Sequence, residues 1–201
     1  PVGEPFLDVN EGDWFYDAVA YAYENGLMDG VGGNRFAPNS ATTRAQLVTI
    51  LYRMEGQPVV SGDLPFTDVE AGTWYTNAVG WAAQNGIVNG VGDDTFAPGN
   101  DLTREQLVTI LYRLEGEPEV SGTSGFTDVE AGTWYTDAVA WAAANGIVNG
   151  VSETEFAPGK DITREQLATI LFRYAEAKGY DVSARADLSA YTDADQIQSY
   201  A

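Results

Sequence analysis

Three arginines, Arg44, Arg104 and Arg164, recur at a spacing of sixty residues, each directly after a threonine and two residues before a glutamine. Thr43 with Gln46, Thr103 with Gln106 and Thr163 with Gln166 have the spacing of a capping box, so each arginine is predicted to open a helix. A positive charge there opposes the helix dipole at a cost of about 0.3–1 kcal/mol. An anionic ligand would offset it, because free backbone N–H groups, the threonine hydroxyl and a guanidinium able to grip a carboxylate by two parallel hydrogen bonds would converge on one point. A neighbouring Asp or Glu would offset it too, and the sequence leaves both readings open. Arg53, Arg113 and Arg173 fall near the ends of the same helices, where the dipole favours a cation, and read as structural.

The rest of the composition narrows the chemistry. The 201 residues hold 30 Asp and Glu against 10 Lys and Arg, a net charge of -20, with neither His nor Cys. That removes disulfides, thiolate metal sites, thiol nucleophiles and the imidazole base or ligand. Diffuse attraction to nucleic acid or to an anionic membrane is disfavoured. No run approaches the roughly 18–20 apolar residues of a membrane span, and Pro1 to Pro5 carry no basic segment leading into an apolar one. The expectation is a soluble, cofactor-free segment with no nucleic-acid partner and no membrane insertion. Asp93-Asp94-Thr95-Phe96 lacks the ligand alternation, central Gly and closing Glu of an EF-hand, so no metal site is predicted. Carboxylate pairs are plentiful, but none stands apart from the repeat, which makes glycoside hydrolysis a weak reading.

The elements that must position these residues form an internal repeat. Phe6, Phe66 and Phe126, Trp14, Trp74 and Trp134, and Pro38, Pro98 and Pro158 keep the same sixty-residue spacing as the arginines. Each copy reads as two amphipathic helices joined by a Gly- and Pro-marked loop. Trp74, Ala78, Trp81 and Ala82 make one apolar face, with Gly86 after Asn85 as a left-handed stop. Leu107, Ile110, Leu111 and Leu114 make the other, stopped at Gly116 before Pro118. Trp14, Trp74 and Trp134 are therefore expected in the core. Tyr21, Trp81 and Trp141, one further aromatic per copy, could line a groove in which a sugar ring stacks. Asp8, Asp68 and Asp128 are expected to cap a turn or the helix after them. Two short helices cannot close a core alone, so the copies should pack into one body of approximate threefold symmetry. After the third copy, Tyr191-Thr192-Asp193-Ala194 echoes the opening of a copy, as a partial fourth repeat or a cap.

The ordered set Phe126-Thr-Asp-Val129, Trp134, Ala138-Val139, Asn145-Gly-Ile147, Gly150, Phe156-Ala-Pro158 and Ile162-Thr-Arg-Glu-Gln166 resembles the S-layer homology (SLH) module, and its three copies cover almost the whole chain. The resemblance implies a mainly α fold in which three helix-loop-helix repeats pack as a pseudo-threefold spindle around a central helical bundle. The repeats would occupy residues 1–60, 61–120 and 121–180, with 181–201 as linker and partial fourth repeat. It implies a non-catalytic anchor at the bacterial cell surface, outside the cell, binding a secondary cell-wall polysaccharide, pyruvylated in the better-known members, in grooves between repeats. Arg44, Arg104 and Arg164 are then the contacts to its negative charge, with Thr43, Thr103, Thr163, Gly30, Gly90, Gly150, Trp81 and Trp141 completing the expected site. Glu105 and Glu165, where the family motif and the first copy have Ala, are carboxylates that could pair with the adjacent arginine. The competing expectation is a structural or protein-binding surface module, assembling with other chains or with calcium, whose grooves stay empty.

Overall fold

The structure, a computed structural model, describes residues 6–183; the expected partial fourth repeat lies outside the described residues. It is mainly helical. Six helices follow in order: α1 (Tyr16–Glu24), α2 (Arg44–Met54), α3 (Thr76–Gln84), α4 (Arg104–Leu114), α5 (Thr136–Ala144) and α6 (Arg164–Ala177). Odd-numbered helices are the first of each copy and even-numbered ones the second. Among the described residues the inter-helix loops contribute isolated bridges, such as Gly32 to Arg35 and Gly92 to Thr95, and no strand.

Local chemistry sets the ends of these helices. The glutamine half of the capping box is present in every copy, with the N–H of Thr43, Thr103 and Thr163 donating to the side-chain oxygen of Gln46, Gln106 and Gln166. The threonine half forms a hydrogen bond at Thr43, whose Oγ1 accepts from Gln46 N–H at 3.2 Å. The first helices stop where Asn25, Asn85 and Asn145 fold their side-chain amides onto the carbonyl four residues back, at 2.8 Å. Gly26, Gly86 and Gly146 follow with φ of 65–67°, a left-handed turn that costs glycine nothing. α2 and α4 end at Gly56 and Gly116 in the same way. α6 lacks that glycine at the matching place, carries Glu176 instead and runs about one turn longer.

Helices pair between copies. α2 of the first copy packs on α3 of the second, α4 of the second on α5 of the third, and α6 of the third on α1 of the first. An aromatic pair marks each junction: Tyr52 with Trp81 and Tyr112 with Trp141 at 5.7 Å between ring centroids, and Tyr21 with Phe172 at 5.5 Å. The described residues resolve into two compact units, one of residues 41–162 and one combining those before 41 with those after 162. Within the first, three backbone amides close a ring: Thr42 N–H donates to Ile162 O, Ile162 N–H to Leu102 O, and Leu102 N–H to Thr42 O, at 2.7–3.0 Å. All three residues are buried, so the ring closes where water cannot compete.

Because each second helix buries its apolar face on a helix of another copy, one copy alone leaves both faces uncovered. Residues 61–120 expressed alone should show little helical circular dichroism and no cooperative melting, whereas the 201-residue chain should melt in a sigmoidal transition.

Candidate functional site

The helix-opening arginines are buried, only 5% exposed at Arg44, 6% at Arg104 and 8% at Arg164. Each reaches into the loop of another copy. Arg44 Nε donates to Phe96 O at 2.9 Å and Nη2 to Asn89 O at 3.2 Å; Arg104 binds Phe156 O at 2.7 Å and Asn149 O at 2.8 Å; Arg164 binds Phe36 O and Asp29 O. The guanidinium carbon lies 4.7, 4.6 and 4.5 Å from the centroids of Phe96, Phe156 and Phe36. This corrects the expectation of unpartnered guanidinium groups, and equally the expectation of direct pairing with a carboxylate. Glu105 and Glu165 form no ion pair with the adjacent arginine among the described residues.

The helix N-termini are occupied too. Arg44 and Ala45 N–H donate to Asn100 O and Pro98 O, Arg104 and Glu105 N–H to Lys160 O and Pro158 O, and Arg164 and Glu165 N–H to Ser40 O and Pro38 O. Groups expected to converge on an anion converge instead on loop carbonyls, whose partial negative charge answers both the dipole and the guanidinium. Thr43, Thr103 and Thr163 sit inside this junction as N-caps.

The same loops are held from behind by the repeated aspartates. Asp8, Asp68 and Asp128 each accept two backbone N–H bonds, from Phe36 and Ala37, Phe96 and Ala97, and Phe156 and Ala157, at 2.7–2.8 Å. Their structural role is as expected, but the partner lies 28 residues on rather than in the next turn. Burial pushes the Asp68 and Asp128 pKa values up, yet the amide donors, with the charge of Arg44 or Arg104 nearby, outweigh it and leave both below the usual value. Glu105 and Glu165 go the other way, raised by burial and then by Asp161 and Asp13 respectively.

A cleft of about 480 Å³ opens beside Arg44 in the unit of residues 41–162. Arg44, the loop from Val88 to Val91, the face of α4 carrying Gln106, Thr109, Ile110 and Arg113, and Trp134 line it. The aromatic assignments exchange places. Trp14, Trp74 and Trp134, expected in the core, are 64%, 62% and 58% exposed, whereas Tyr21, Trp81 and Trp141 are 4%, 7% and 9% exposed in the helix junctions. The helical register explains it. α3 begins at Thr76 after Tyr75 as N-cap, so Trp74 belongs to the preceding turn and not to the apolar face that carries Trp81. Trp134 is thus the cleft aromatic; Trp81 and Trp141 are not among its lining residues. Gly90 does line it, but packing already demands glycine there: an added Cβ would come 2.5 Å from Thr95 O and 3.1 Å from the Phe66 ring. At Gly30 it would meet Phe6 at 2.7 Å, and Gly150 is crowded by Ser152, Glu155 and Phe126. Arg113, read from sequence as structural, is a charged cleft residue that sequence reasoning missed, as it missed Gln106, Thr109, Ile110 and Trp134.

A family model described as the S-layer homology domain matches residues 5–48, 65–108 and 125–168. The chain belongs to the S-layer homology domain family. SLH membership places it at the bacterial cell surface. Similar segments occur in an amylopullulanase of Thermoanaerobacterium thermosulfurigenes, 30% identical over 87% of this chain and 10% of that protein, and in the surface-layer 125 kDa protein of Lysinibacillus sphaericus, 30% identical over 89% and 15%. An exoglucanase of Acetivibrio thermocellus is 28% identical over 85% of the chain and 16% of the enzyme. The SLH chain therefore spans only a small part of each of these relatives. No helix among the described residues is long and apolar enough to cross a membrane.

Two outcomes follow from the junction geometry. Arg104→Met should cost about 2–4 kcal/mol in urea denaturation, since the buried Phe156 and Asn149 carbonyls lose a charged donor, and Arg104→Lys should recover little because the planar fork is lost. The stability contributed by Asp68 and Asp128 is present at neutral pH because their folded pKa values are depressed. It should begin to fall as pH drops past the ordinary aspartate value of 3.8 and be gone below the folded values. Thermal melts of the wild type and of Asp128→Asn between pH 6 and 2 measure this, the variant showing the smaller acid-limb loss.

Proposed function

We propose that the chain is a non-catalytic anchor that holds an anionic secondary cell-wall polysaccharide, one carrying pyruvylated sugars, in clefts of the kind bordered by Arg44, Gly90 and Trp134. One observation carries the reading. In a chain with three acidic side chains for every basic one, the cleft lining contains two arginines and no carboxylate. Such a concentration of positive charge against a net -20 suits an anionic ligand held locally, within a Debye length of about 8 Å at physiological salt. The exposed indole of Trp134 at the cleft offers a flat apolar face to a sugar ring, and the α4 side offers polar donors, a combination suited to an acidic glycan.

The relatives support anchoring over chemistry. The same segment accompanies proteins named amylopullulanase, exoglucanase and endoglucanase and others named surface-layer protein. A part shared by such different proteins fits attachment to the surface rather than a common reaction. The lining types recur in the other copies as Val31 and Val151, Gln46 and Gln166, and Trp14 and Trp74. Several modest contacts on one chain would raise retention on a repetitive polymer through effective concentration.

The test is co-sedimentation with purified cell walls bearing a pyruvylated secondary polymer, before and after mild acid has removed the ketal. Retention should fall at least about tenfold on the treated walls, and Trp134→Ala should weaken retention on the untreated ones. Equal retention on both preparations would contradict the acidic-polymer reading.

A further inference from the structure

We infer that Asn89 and Asn149 are sites of self-modification in the folded chain, each losing its side-chain amide to the glycine that follows, while the other Asn-Gly pairs are held unreactive. The step is intramolecular. The glycine nitrogen bonds to the asparagine Cγ, the Cγ–Nδ2 bond breaks, and ammonia leaves with the glycine amide proton. A five-membered succinimide remains, which water opens to aspartate or isoaspartate. Only solvent water enters, and nothing is oxidised or reduced. Glycine in second place favours the reaction because it has no side chain to block the approach.

The chain has Asn-Gly at Asn25-Gly26, Asn85-Gly86, Asn89-Gly90, Asn145-Gly146 and Asn149-Gly150. All of these asparagines are exposed, so exposure does not divide them; hydrogen bonding does. At the helix stops both reacting groups are tied. Asn25, Asn85 and Asn145 donate Nδ2–H to the carbonyls of Tyr21, Trp81 and Trp141 at 2.8 Å. The N–H of Gly26, Gly86 and Gly146 donates to Tyr23 O, Ala83 O and Ala143 O at 3.0–3.2 Å. The asparagine ψ of 6–8° there also holds the glycine nitrogen about a third of a turn away from the Cβ it must eclipse to close a five-membered ring.

At Asn89 and Asn149 neither group is tied. Among the described residues, neither their side-chain amides nor the N–H of Gly90 or Gly150 makes a hydrogen bond. The carbonyl of that same peptide is bonded: Arg44 Nη2 donates to Asn89 O at 3.2 Å and Arg104 Nη2 to Asn149 O at 2.8 Å. This contact assists the reaction. As the glycine N–H gives up its proton, the negative charge of the peptide anion falls largely on the carbonyl oxygen, where a guanidinium already stands to stabilise it. The first copy has Asp29-Gly30 at the matching place. There the charge of Asp29 favours the Arg164 cation against the burial that opposes it. Conversion to aspartate thus gives Arg44 and Arg104 the neighbouring carboxylate that Arg164 has by sequence.

The experiment is peptide mapping by mass spectrometry of the full chain, held at mildly alkaline pH with and without denaturing urea, with fragment ions that separate Asn85 from Asn89 and Asn145 from Asn149. In the folded chain Asn89 and Asn149 should convert at least about tenfold faster than Asn25, Asn85 and Asn145, because only the latter are held out of reacting geometry. In urea, where these hydrogen bonds are lost, all should convert within about threefold of one another. Folded protein in which Asn89 and Asn149 convert no faster than the helix stops overturns the inference. So does folded protein in which no Asn-Gly pair converts over the period in which the urea sample does.

Discussion

The structure depends on one interaction made three times: a buried guanidinium laid over a phenylalanine ring and bonded to that residue's carbonyl in another copy. A charge taken this far from water requires partners for its donors, and the loop supplies them as Phe and Asn or Asp carbonyls. The loop must in turn be held in an unusual shape. Ala37, Ala97 and Ala157 each sit at φ 56°, a left-handed conformation that an alanine adopts at a cost of about 1–3 kcal/mol. The carboxylates of Asp8, Asp68 and Asp128 accept from those alanine amides and from the phenylalanine amides before them. Aspartate, loop and arginine thus form one continuous clamp, repeated in the same register in each of the three copies.

This clamp separates holding from binding. The first arginine of each even-numbered helix bonds loop carbonyls through Nε and Nη2 inside the protein, and the amides beside it are closed by the Pro98, Pro158 and Pro38 carbonyls and those that follow. What remains for a ligand is the outer face of the helix: the side chains of Gln106, Thr109, Ile110 and Arg113, with Trp134 contributed by the turn of another copy. The clamp supports that cleft by holding the loop from Val88 to Val91, through Asn89 O, on Arg44 at the start of α2. The proposed binding surface lies on a bonded junction beneath it, in keeping with a site whose side chains need little reordering on binding.

Much of the fold is legible in the sequence, and the places where legibility ends have physical causes. The repeat, both helices of each copy, the threonine caps and the Asn-Gly stops rest on local chemistry that any stretch of chain carries with it. Pairing between copies does not. An apolar face such as Leu107, Ile110 and Leu111 looks the same whether its cover comes from its own copy or from the next. The carbonyl partners of Arg44, Arg104 and Arg164 leave no trace in residue type, because every residue has a carbonyl. Trp74 and Trp81 both fit a helical period, and only the start of α3 at Thr76 decides that the first lies outside it. Arg113 looked structural because a cation near a helix C-terminus is favourable in any setting; its place in the cleft depends on Arg44 and Trp134, one from each flanking copy.

The most direct measurement is a crystal structure of the chain with a pyruvylated disaccharide from the wall polymer. The account predicts a sugar ring against Trp134 in the cleft that Arg113 and Gln106 line, with Arg44 still bonded to Phe96 O and Asn89 O. A complex in which Arg44 leaves the Phe96 ring and both carbonyls to take the ligand would contradict it.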